Sequence, residues 1–337
     1  MKTQHFTQDK LDQAAALLRQ GHLVAFPTET VYGLGALAHD DQAIRQVFQV
    51  KGRPSDNPLI VHVSHPDQVA QIVTHILPMA QKLMEHFWPG PLTLILPVQE
   101  DQVSSLARNG LDTVGVRMPD NALTVALNEK VGAPLVGPSA NLSGRPSPTH
   151  YQHVLDDLEG KISGVVQDSQ VPRVGVESTV VFPTTEALYI YRPGFYDQET
   201  LQAVVDVPVI ELSADKQVEN GQLMSPGVKY KHYTPTSSVK AFSGDLALED
   251  LLAHIRKEKG KVGLLADELW LEKCHDQVSA TYSLGPLGDM ASATRQLFAG
   301  LRALESQGMD VIYAQTFTDS RAHAYMDRLL RASDFVI

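Results

Sequence analysis

The chain lacks the features that would mark a disulfide-stabilised or membrane-bound protein. Its 337 residues include one cysteine, Cys274, which excludes an intramolecular disulfide and a cysteine-based metal cage. The longest apolar runs, such as Leu92–Val98, are far too short to span a bilayer. The N-terminus enters a polar helix pattern without the apolar core of a signal peptide. The sequence therefore predicts a cytoplasmic protein with no membrane association.

An excess of basic charge is also absent. The chain has 28 Lys and Arg residues against 39 Asp and Glu residues, a formal net charge of -11, and neither half is basic. Stable, non-specific binding of nucleic acid is therefore not expected, and any phosphate site must be local. The 13 His residues form no pair at ligand spacing with a carboxylate on one element, so no protein-held metal is predicted.

The pattern of apolar residues predicts two α/β domains joined by a linker. In residues 1–212 strand-like and helical runs interleave, which favours a mixed sheet with flanking helices. Residues 213–238 lack sustained periodicity, and their cluster Ser225–Pro235 has the aromatics, lysines and prolines of a structured lid. A strand and helix pattern restarts in residues 239–337 and predicts a small Rossmann-like domain. A flexible tether remains an alternative for the linker.

Two polar clusters follow or precede strand-like runs and could bind a polyphosphate. Lys51 and Arg53 lie just before the apolar run Leu59–Val63, and Ser139 and Asn141 follow another such run. Lysine supplies a point charge, arginine a planar fork of donors, and the short polar side chains supply directional hydrogen bonds. Taken alone, Lys51 and Arg53 fit a solvated turn better than a phosphate site, and it is the other clusters that favour the phosphate site.

Three further features lie at strand ends or within strands. Thr28–Thr30 is a polar stretch directly after the first strand-like run, as a pocket at a strand's carboxyl end would require. His62 lies inside an apolar run, where a satisfied core histidine is the ordinary interpretation. Arg117 lies inside a strand, where it needs a carboxylate partner; both an internal ion pair and a bound substrate satisfy that requirement.

Eight stretches occur in the order found in the YrdC-like family, and the chain resembles the two-domain form of that family. They are Pro27–Gly35, Lys51–Val63, Trp88–Leu96, Gly110–Pro119, Pro138–Thr149, Gly175–Val181, Tyr191–Gly194 and Ser225–Pro235. The resemblance implies a YrdC-like twisted mixed sheet followed by the Rossmann-like domain. It also implies synthesis of threonylcarbamoyl-AMP and pyrophosphate from L-threonine, bicarbonate and ATP, with Mg²⁺ bound with the ATP phosphates. The product would serve the machinery that transfers threonylcarbamoyl to tRNA.

The resemblance also implies roles for individual residues. Those expected to act in catalysis are Lys51, Arg53, Ser139 and Asn141. Those expected to bind ATP are Lys51, Arg53, Asn57, Thr113, Gly137, Ser139, Asn141, Ser147, Arg192 and Tyr230, the last closing over the nucleotide from the linker. Those expected to bind L-threonine are Thr30, His62, Arg117, Ser139 and Ser178, with Arg117 taking the carboxylate as a bidentate fork.

Two departures from the family pattern and two rival functions accompany this interpretation. The family often has Asp-Gly-Gly where this chain has Asp168–Gln170, and it places glycines near Ser320–His323, which leaves the role of the C-terminal domain open. One rival is a double-stranded-RNA or tRNA-binding module without catalysis, against which the net acidity argues. The other is a hydrogenase-maturation carbamoyltransferase, whose zinc-finger cysteines are missing here.

Overall fold

A computed structural model describes residues 2–212, 218–219, 222–223 and 233–337, with backbone alone for the two short central pieces. The chain divides into two compact units. The first comprises Met1–Ser143, Pro148–Pro172 and Glu177–Tyr230, and the second comprises Gly144–Ser147, Arg173–Val176 and Lys231–Ile337. Two short segments from the N-terminal part of the sequence therefore belong to the second unit.

The first unit alternates short strands with helices. Its strands are β1 (Gln4–Phe6), β2 (Val24–Phe26), β3 (Gly33–Leu37), β4 (Ile60–His62), β5 (Leu92–Pro97), β6 (Thr113–Arg117), β7 (Leu135–Val136), β8 (Gly164–Val166), β9 (Thr179–Pro183), β10 (Leu188–Arg192) and β11 (Val209–Glu211), with a hairpin of β12 (Val218–Glu219) and β13 (Gln222–Leu223). Its helices are α1 (Leu11–Arg19), α2 (Asp41–Lys51), α3 (Val69–Ile72), α4 (Pro78–Phe87), α5 (Ala122–Val131), α6 (Tyr151–Leu158) and α7 (Gln198–Gln202).

Strands β1 to β11 form one mixed sheet in the order β1-β8-β2-β3-β7-β4-β6-β5-β9-β10-β11. Strand β4 runs parallel to β6, whereas β5 and β6 are antiparallel. Alternate residues point to opposite faces. Val61 and Val116 face the larger apolar core, while Ile60 and Ile95 belong to a smaller cluster on the other face. That second face is where polar side chains collect.

The helices that flank the site begin and end at recognisable signals. Asp40 caps α2 by accepting hydrogen bonds from two backbone N–H groups of the first turn, and Asn121 caps α5 in the same way. Helix α2 is capped at its C-terminus by Gly52, whose φ of 59° lies in the left-handed region that favours glycine. These signals place Lys51, the last residue of α2, at a fixed point beside the sheet.

The second unit is a doubly wound parallel sheet. Its strands are β14 (Ser238–Ser243), β15 (Val262–Ala266), β16 (Ala280–Ser283), β17 (Val311–Thr316) and β18 (Phe335–Val336), and its helices are α8 (Leu248–Ile255), α9 (Glu268–Cys274), α10 (Met290–Ser306) and α11 (His323–Ala332). The strand order is β16-β15-β17-β14-β18, and every pairing is parallel. Leu264 packs with α8 and α9, whereas its neighbour Leu265 faces Gly300 of α10. Helices therefore cover both faces.

The predicted fold class is confirmed by these two sheets, the first mixed and the second parallel. Strand β3 was not predicted: it contains Gly33 and Gly35, which depress strand propensity. Both glycines are needed for close packing, because a Cβ on Gly33 would lie 2.8 Å from the Phe26 ring and one on Gly35 would lie 2.7 Å from the carbonyl oxygen of Val24. In the described part of the chain, no helix combines the length and apolar character needed to cross a bilayer.

Candidate active site

The candidate site lies on the face of the first sheet that carries the smaller apolar cluster. Ile60 and His62 share that face of β4, and Gly115 and Arg117 share it on β6. The register pairs Ile60 with Gly115 and His62 with Arg117. Two residues that the sequence assigned to L-threonine thus lie side by side at the carboxyl ends of parallel strands.

The guanidinium group of Arg117 is held by three groups. Nη2 lies 2.6 Å from Oε2 of Glu29 in an ion pair, Nη1 donates to the hydroxyl of Thr30 at 2.9 Å, and Nε donates to the carbonyl oxygen of Gly90 at 3.2 Å. Arg117 is 4% exposed and Glu29 is 3% exposed. The internal ion pair left open by the sequence is therefore present, and its partner is Glu29.

Thr30 is itself fixed by a local turn. The hydroxyl oxygens of Thr28 and Thr30 are 2.8 Å apart, and the Thr28 hydroxyl also donates to the carbonyl oxygen of Val31 at 2.6 Å. The backbone N–H of Thr30 donates to the Thr28 hydroxyl at 3.1 Å. This short polar turn after β2 presents the Thr30 hydroxyl to Arg117.

His62 is a buried, neutral imidazole beside Arg117. Burial, and then the positive charge of Arg117, lower the pKa of His62 to about 3. Its ring contacts Phe26 edge-on at a centroid distance of 5.5 Å. Its Nδ1 makes no hydrogen bond within the described part of the chain, and a Cβ added to Gly137 would lie 2.7 Å from that atom. A residue with a side chain at position 137 would therefore displace the imidazole, and glycine avoids this clash.

Lys51 binds the loop that follows β7. Its ammonium group donates to the carbonyl oxygen of Asn141 at 2.7 Å and to that of Ser139. The side chain is 2% exposed, although lysine is seldom so deeply buried. Backbone pairing holds the same loop to β3, with Ser139 opposite Gly33. The loop and the cation therefore form one rigid element.

Arg53 and Asn57 lie in the turn between α2 and β4. Nη2 of Arg53 lies 3.3 Å from the carbonyl oxygens of both Asn57 and Pro58. Asn57 is 1% exposed. The two residues predicted to bind ATP from this turn are thus in contact through the backbone.

Ser178 and Arg192 form a second pair of predicted residues in contact. Nη2 of Arg192 lies 3.0 Å from the carbonyl oxygen and 3.2 Å from the hydroxyl of Ser178. That hydroxyl is 2.8 Å from the hydroxyl of Thr93 on β5. Thr93 was not singled out in the sequence because a threonine within an apolar strand run is ordinary.

The remaining predicted residues are less directly connected. Thr113 shares a face of β6 with Arg117 but lies four residues away, roughly 13 Å along the strand. Ser147 is buried in Gly144–Ser147, which belongs to the second unit. Tyr230 and the rest of the predicted lid up to residue 232 lie outside the described residues. Glu29, by contrast, was missed as a partner of Arg117, although a buried arginine in a strand signals a buried carboxylate nearby.

No group of three or more His, Cys, Asp or Glu side chains within the described ranges is arranged to hold a metal ion. Oxygen donors such as the Ser139 hydroxyl and the Asn141 amide suit a hard cation carried by substrate phosphates.

Comparisons with known proteins place these features in a family. A family model named Sua5_yciO_yrdC and described as "Telomere recombination" matches residues 16–194, and a model described as "Threonylcarbamoyl-AMP synthase, C-terminal domain" matches residues 196–334. The threonylcarbamoyl-AMP synthase of Bacillus subtilis is 40% identical over 327 residues, which cover 96% of this chain and 93% of the relative. The chain belongs to the threonylcarbamoyl-AMP synthase family, in its two-domain form.

Other members of the family agree in sequence and structure. The Pyrococcus abyssi threonylcarbamoyl-AMP synthase is 39% identical over 97% of this chain and 95% of its own length. A crystal structure of Pyrococcus abyssi Sua5 complexed with L-threonine has a TM-score of 0.88 at 36% identity and covers 100% of both chains. The YrdC-like sheet and the C-terminal domain predicted from the sequence are therefore those of the family.

Proposed function

We propose that this protein condenses L-threonine, bicarbonate and ATP into threonylcarbamoyl-AMP and pyrophosphate. One observation carries the proposal. The five residues from Gly137 to Asn141 connect the amino-acid side of the site to its cationic side. Gly137 contacts His62, beside Arg117, and the carbonyl oxygens of Ser139 and Asn141 bind Lys51. An amino acid and an anionic nucleotide bound at these two places would be neighbours.

The amino-acid side suits the small, polar side chain and carboxylate of L-threonine. The bidentate contact implied by the family resemblance uses Nη2 of Arg117 together with Nη1 or Nε, but Glu29 holds Nη2. The hydroxyl of Thr30 also contacts Thr28, so Thr30 can release Nη1 without losing every hydrogen bond. We expect the substrate carboxylate to bind Nη1 and the neutral imidazole of His62 to line the site beside it. The L-threonine complex of the Pyrococcus abyssi relative supports an L-threonine site in this fold.

The cationic side suits charge stabilisation rather than covalent catalysis. Reaction of the amine of L-threonine with bicarbonate gives a carbamate and releases water. A carbamate oxygen then forms a bond to the α-phosphorus of ATP, and the bond from that phosphorus to the bridging oxygen breaks and releases pyrophosphate. Both reactants are anions, so Lys51 and Arg53 would offset the charge that builds up between them.

Mg²⁺ would accompany ATP, bound by its phosphates with the Ser139 hydroxyl and the Asn141 amide oxygen as additional ligands. When bound, it would neutralise phosphate charge. This chain's residues would align the two substrates, and the product would pass to the machinery that modifies tRNA. A cytoplasmic location, where tRNA and ATP meet, completes the proposal.

Mass spectrometry of the products tests the proposal directly. Purified protein, incubated with ATP, L-threonine and bicarbonate, is expected to yield threonylcarbamoyl-AMP and pyrophosphate, and to yield neither when L-threonine is omitted. Arg53→Ala removes a side chain from a turn, so it should abolish the product and leave the far-ultraviolet circular dichroism unchanged. Absence of the adenylate with the wild-type protein would reject the function, and an active Arg53→Ala variant would reject the phosphate site.

A further inference from the structure

Helix α10 of the second unit binds a loop that carries one of the predicted ATP ligands. The loop Gly144–Ser147 belongs to this unit and ends at Ser147, which is 1% exposed. The side chain of Arg302 donates to the carbonyl oxygen of Pro146 from Nη2 at 2.6 Å and from Nε at 3.0 Å. Arg302 is 4% exposed, so this forked contact is shielded from water. It fixes the peptide group that immediately precedes Ser147.

A second residue of α10 ties the same loop to the end of the linker. One oxygen of Glu305 lies 2.5 Å from Nη2 of Arg145, and its other oxygen accepts hydrogen bonds from the backbone N–H and hydroxyl of Thr236 at 2.7 and 2.8 Å. The backbone N–H of Thr234 donates to the carbonyl oxygen of Gly144 at 2.8 Å. The loop and the last described residues of the linker are thus bound to each other and to one carboxylate.

The described end of the linker is anchored on the same helix. The ring of Tyr233 lies 5.1 Å from that of Phe298 on α10, and the guanidinium carbon of Arg328 lies 5.8 Å from the centre of the Tyr233 ring. Tyr233 has a φ of 66°, a conformation that a bulky residue adopts only when its surroundings impose it. Phe298 of α10 and Arg328 of α11 therefore both contact the described end of the linker.

We propose that α10 positions the nucleotide-binding loop: Arg302 acts through the Pro146 carbonyl on Ser147, and Glu305 couples the loop to the linker. This inference rests on the proposed function and gives the C-terminal domain a role in it. Arg302 and Glu305 are positioning residues, because each acts through loop atoms. Their loss should weaken ATP binding selectively and leave L-threonine binding unchanged.

The test compares substitutions at Arg302 and Ser147 in the full-length protein. Arg302→Met should raise KM for ATP about tenfold, the effect of losing one charge-assisted hydrogen bond. KM for L-threonine should change less than about twofold. Arg302→Lys, which keeps the charge but has a single donor nitrogen, should fall between wild type and Arg302→Met. Arg256→Met, which removes an exposed arginine of the same unit, is the matched control and should change neither constant.

A double-mutant cycle decides whether Arg302 acts through Ser147. If it does, Arg302→Met should add less than about twofold to KM for ATP in a Ser147→Ala background. A full tenfold effect in that background, or an equal rise in KM for both substrates, would overturn the inference. Should Arg302→Met fail to fold, Glu305→Gln carries the same test, and an unchanged KM for ATP would count against it. A wild-type protein that makes no threonylcarbamoyl-AMP would instead reject the proposed function.

Discussion

Oε2 of Glu29 lies 2.6 Å from Nη2 of Arg117, and both side chains are almost completely buried. The pair is formally neutral, so the protein keeps a guanidinium group in its interior without an uncompensated charge. Because Nη1 of Arg117 binds Thr30, Glu29 also fixes the orientation of a residue that we assign to L-threonine. The carboxylate is therefore expected to support both the stability of the fold and the L-threonine site that we propose.

Glu29→Gln should lower stability and weaken L-threonine binding together. Breaking a buried ion pair by removing one charge costs about 3 kcal/mol, since the remaining charge stays buried. Urea unfolding should show this loss, and KM for L-threonine should rise while KM for ATP stays constant. Glu129→Gln, which neutralises an exposed carboxylate on α5, is the control. A Glu29→Gln protein as stable as this control would show that Glu29 does not support Arg117.

Lys51→Met should strongly slow adenylate formation with a smaller effect on folding. The substitution keeps an unbranched side chain but removes the ammonium group that binds the carbonyl oxygens of Ser139 and Asn141. Leaving buried acceptors without a donor costs about 1–3 kcal/mol of stability. Loss of one group that stabilises developing charge lowers kcat by about 10²–10³. Lys130→Met, at a lysine paired with Asp12 on the surface, should leave kcat unchanged.

Single-turnover measurements with saturating ATP and L-threonine separate chemistry from binding in the Lys51→Met protein. Unchanged single-turnover rates would remove Lys51 from the catalytic residues. Its role would then be limited to holding the loop.

Local sequence signals predicted most elements because they act over a few residues. Asp40 and Asn121 mark the starts of α2 and α5, and alternation of polar and apolar residues marks β6. Strand β3 escaped prediction because its two glycines are selected for contact with β2, a tertiary requirement. The sequence motif around Gly33 thus reflects packing against Phe26.

Long-range pairing could not be predicted. Glu29 and Arg117 are 88 positions apart in the sequence, and the residues around either one do not indicate that the two side chains pair. The sequence required only that a buried arginine have a partner. Similarly, Ser147 follows Pro146 in a polar loop of the first predicted domain. Its attachment to α10 depends on Arg302, which lies in the second predicted domain. Such contacts depend on the tertiary structure, so they cannot be read from local sequence patterns.

Gly137→Ala and Gly115→Ala should differ in severity. A Cβ at position 137 would lie 2.7 Å from both Nδ1 of His62 and Cζ of Phe26, so the substitution should cost about 1–3 kcal/mol. At position 115 the nearest atoms, in Thr93 and Ile60, lie 3.3 and 3.4 Å away, and a shift of a few tenths of an ångström accommodates the methyl group. Thermal unfolding should rank the two variants, and equal melting temperatures would contradict the packing described for His62.

His62 should make the protein less stable as the pH falls from 7 to 5. Its pKa is about 3 in the folded state, below the value of about 6.5 expected when it is unfolded, so between these values the unfolded state binds the extra proton. The stabilising contribution of the neutral imidazole is complete above pH 6.5 and is lost progressively as the pH drops. Between pH 7 and pH 5 the loss should be about 2 kcal/mol.

The His62→Gln variant isolates this effect, because the other titrating groups cancel when the two proteins are compared at each pH. Urea unfolding at pH 7 and pH 5 should show that the wild type loses about 2 kcal/mol more than the variant over this interval. Enzyme assays over the same range should show no inflection in KM for L-threonine at pH 6.5, since the folded imidazole stays neutral. Equal losses in the two proteins would mean that His62 has an ordinary pKa and an environment open to water.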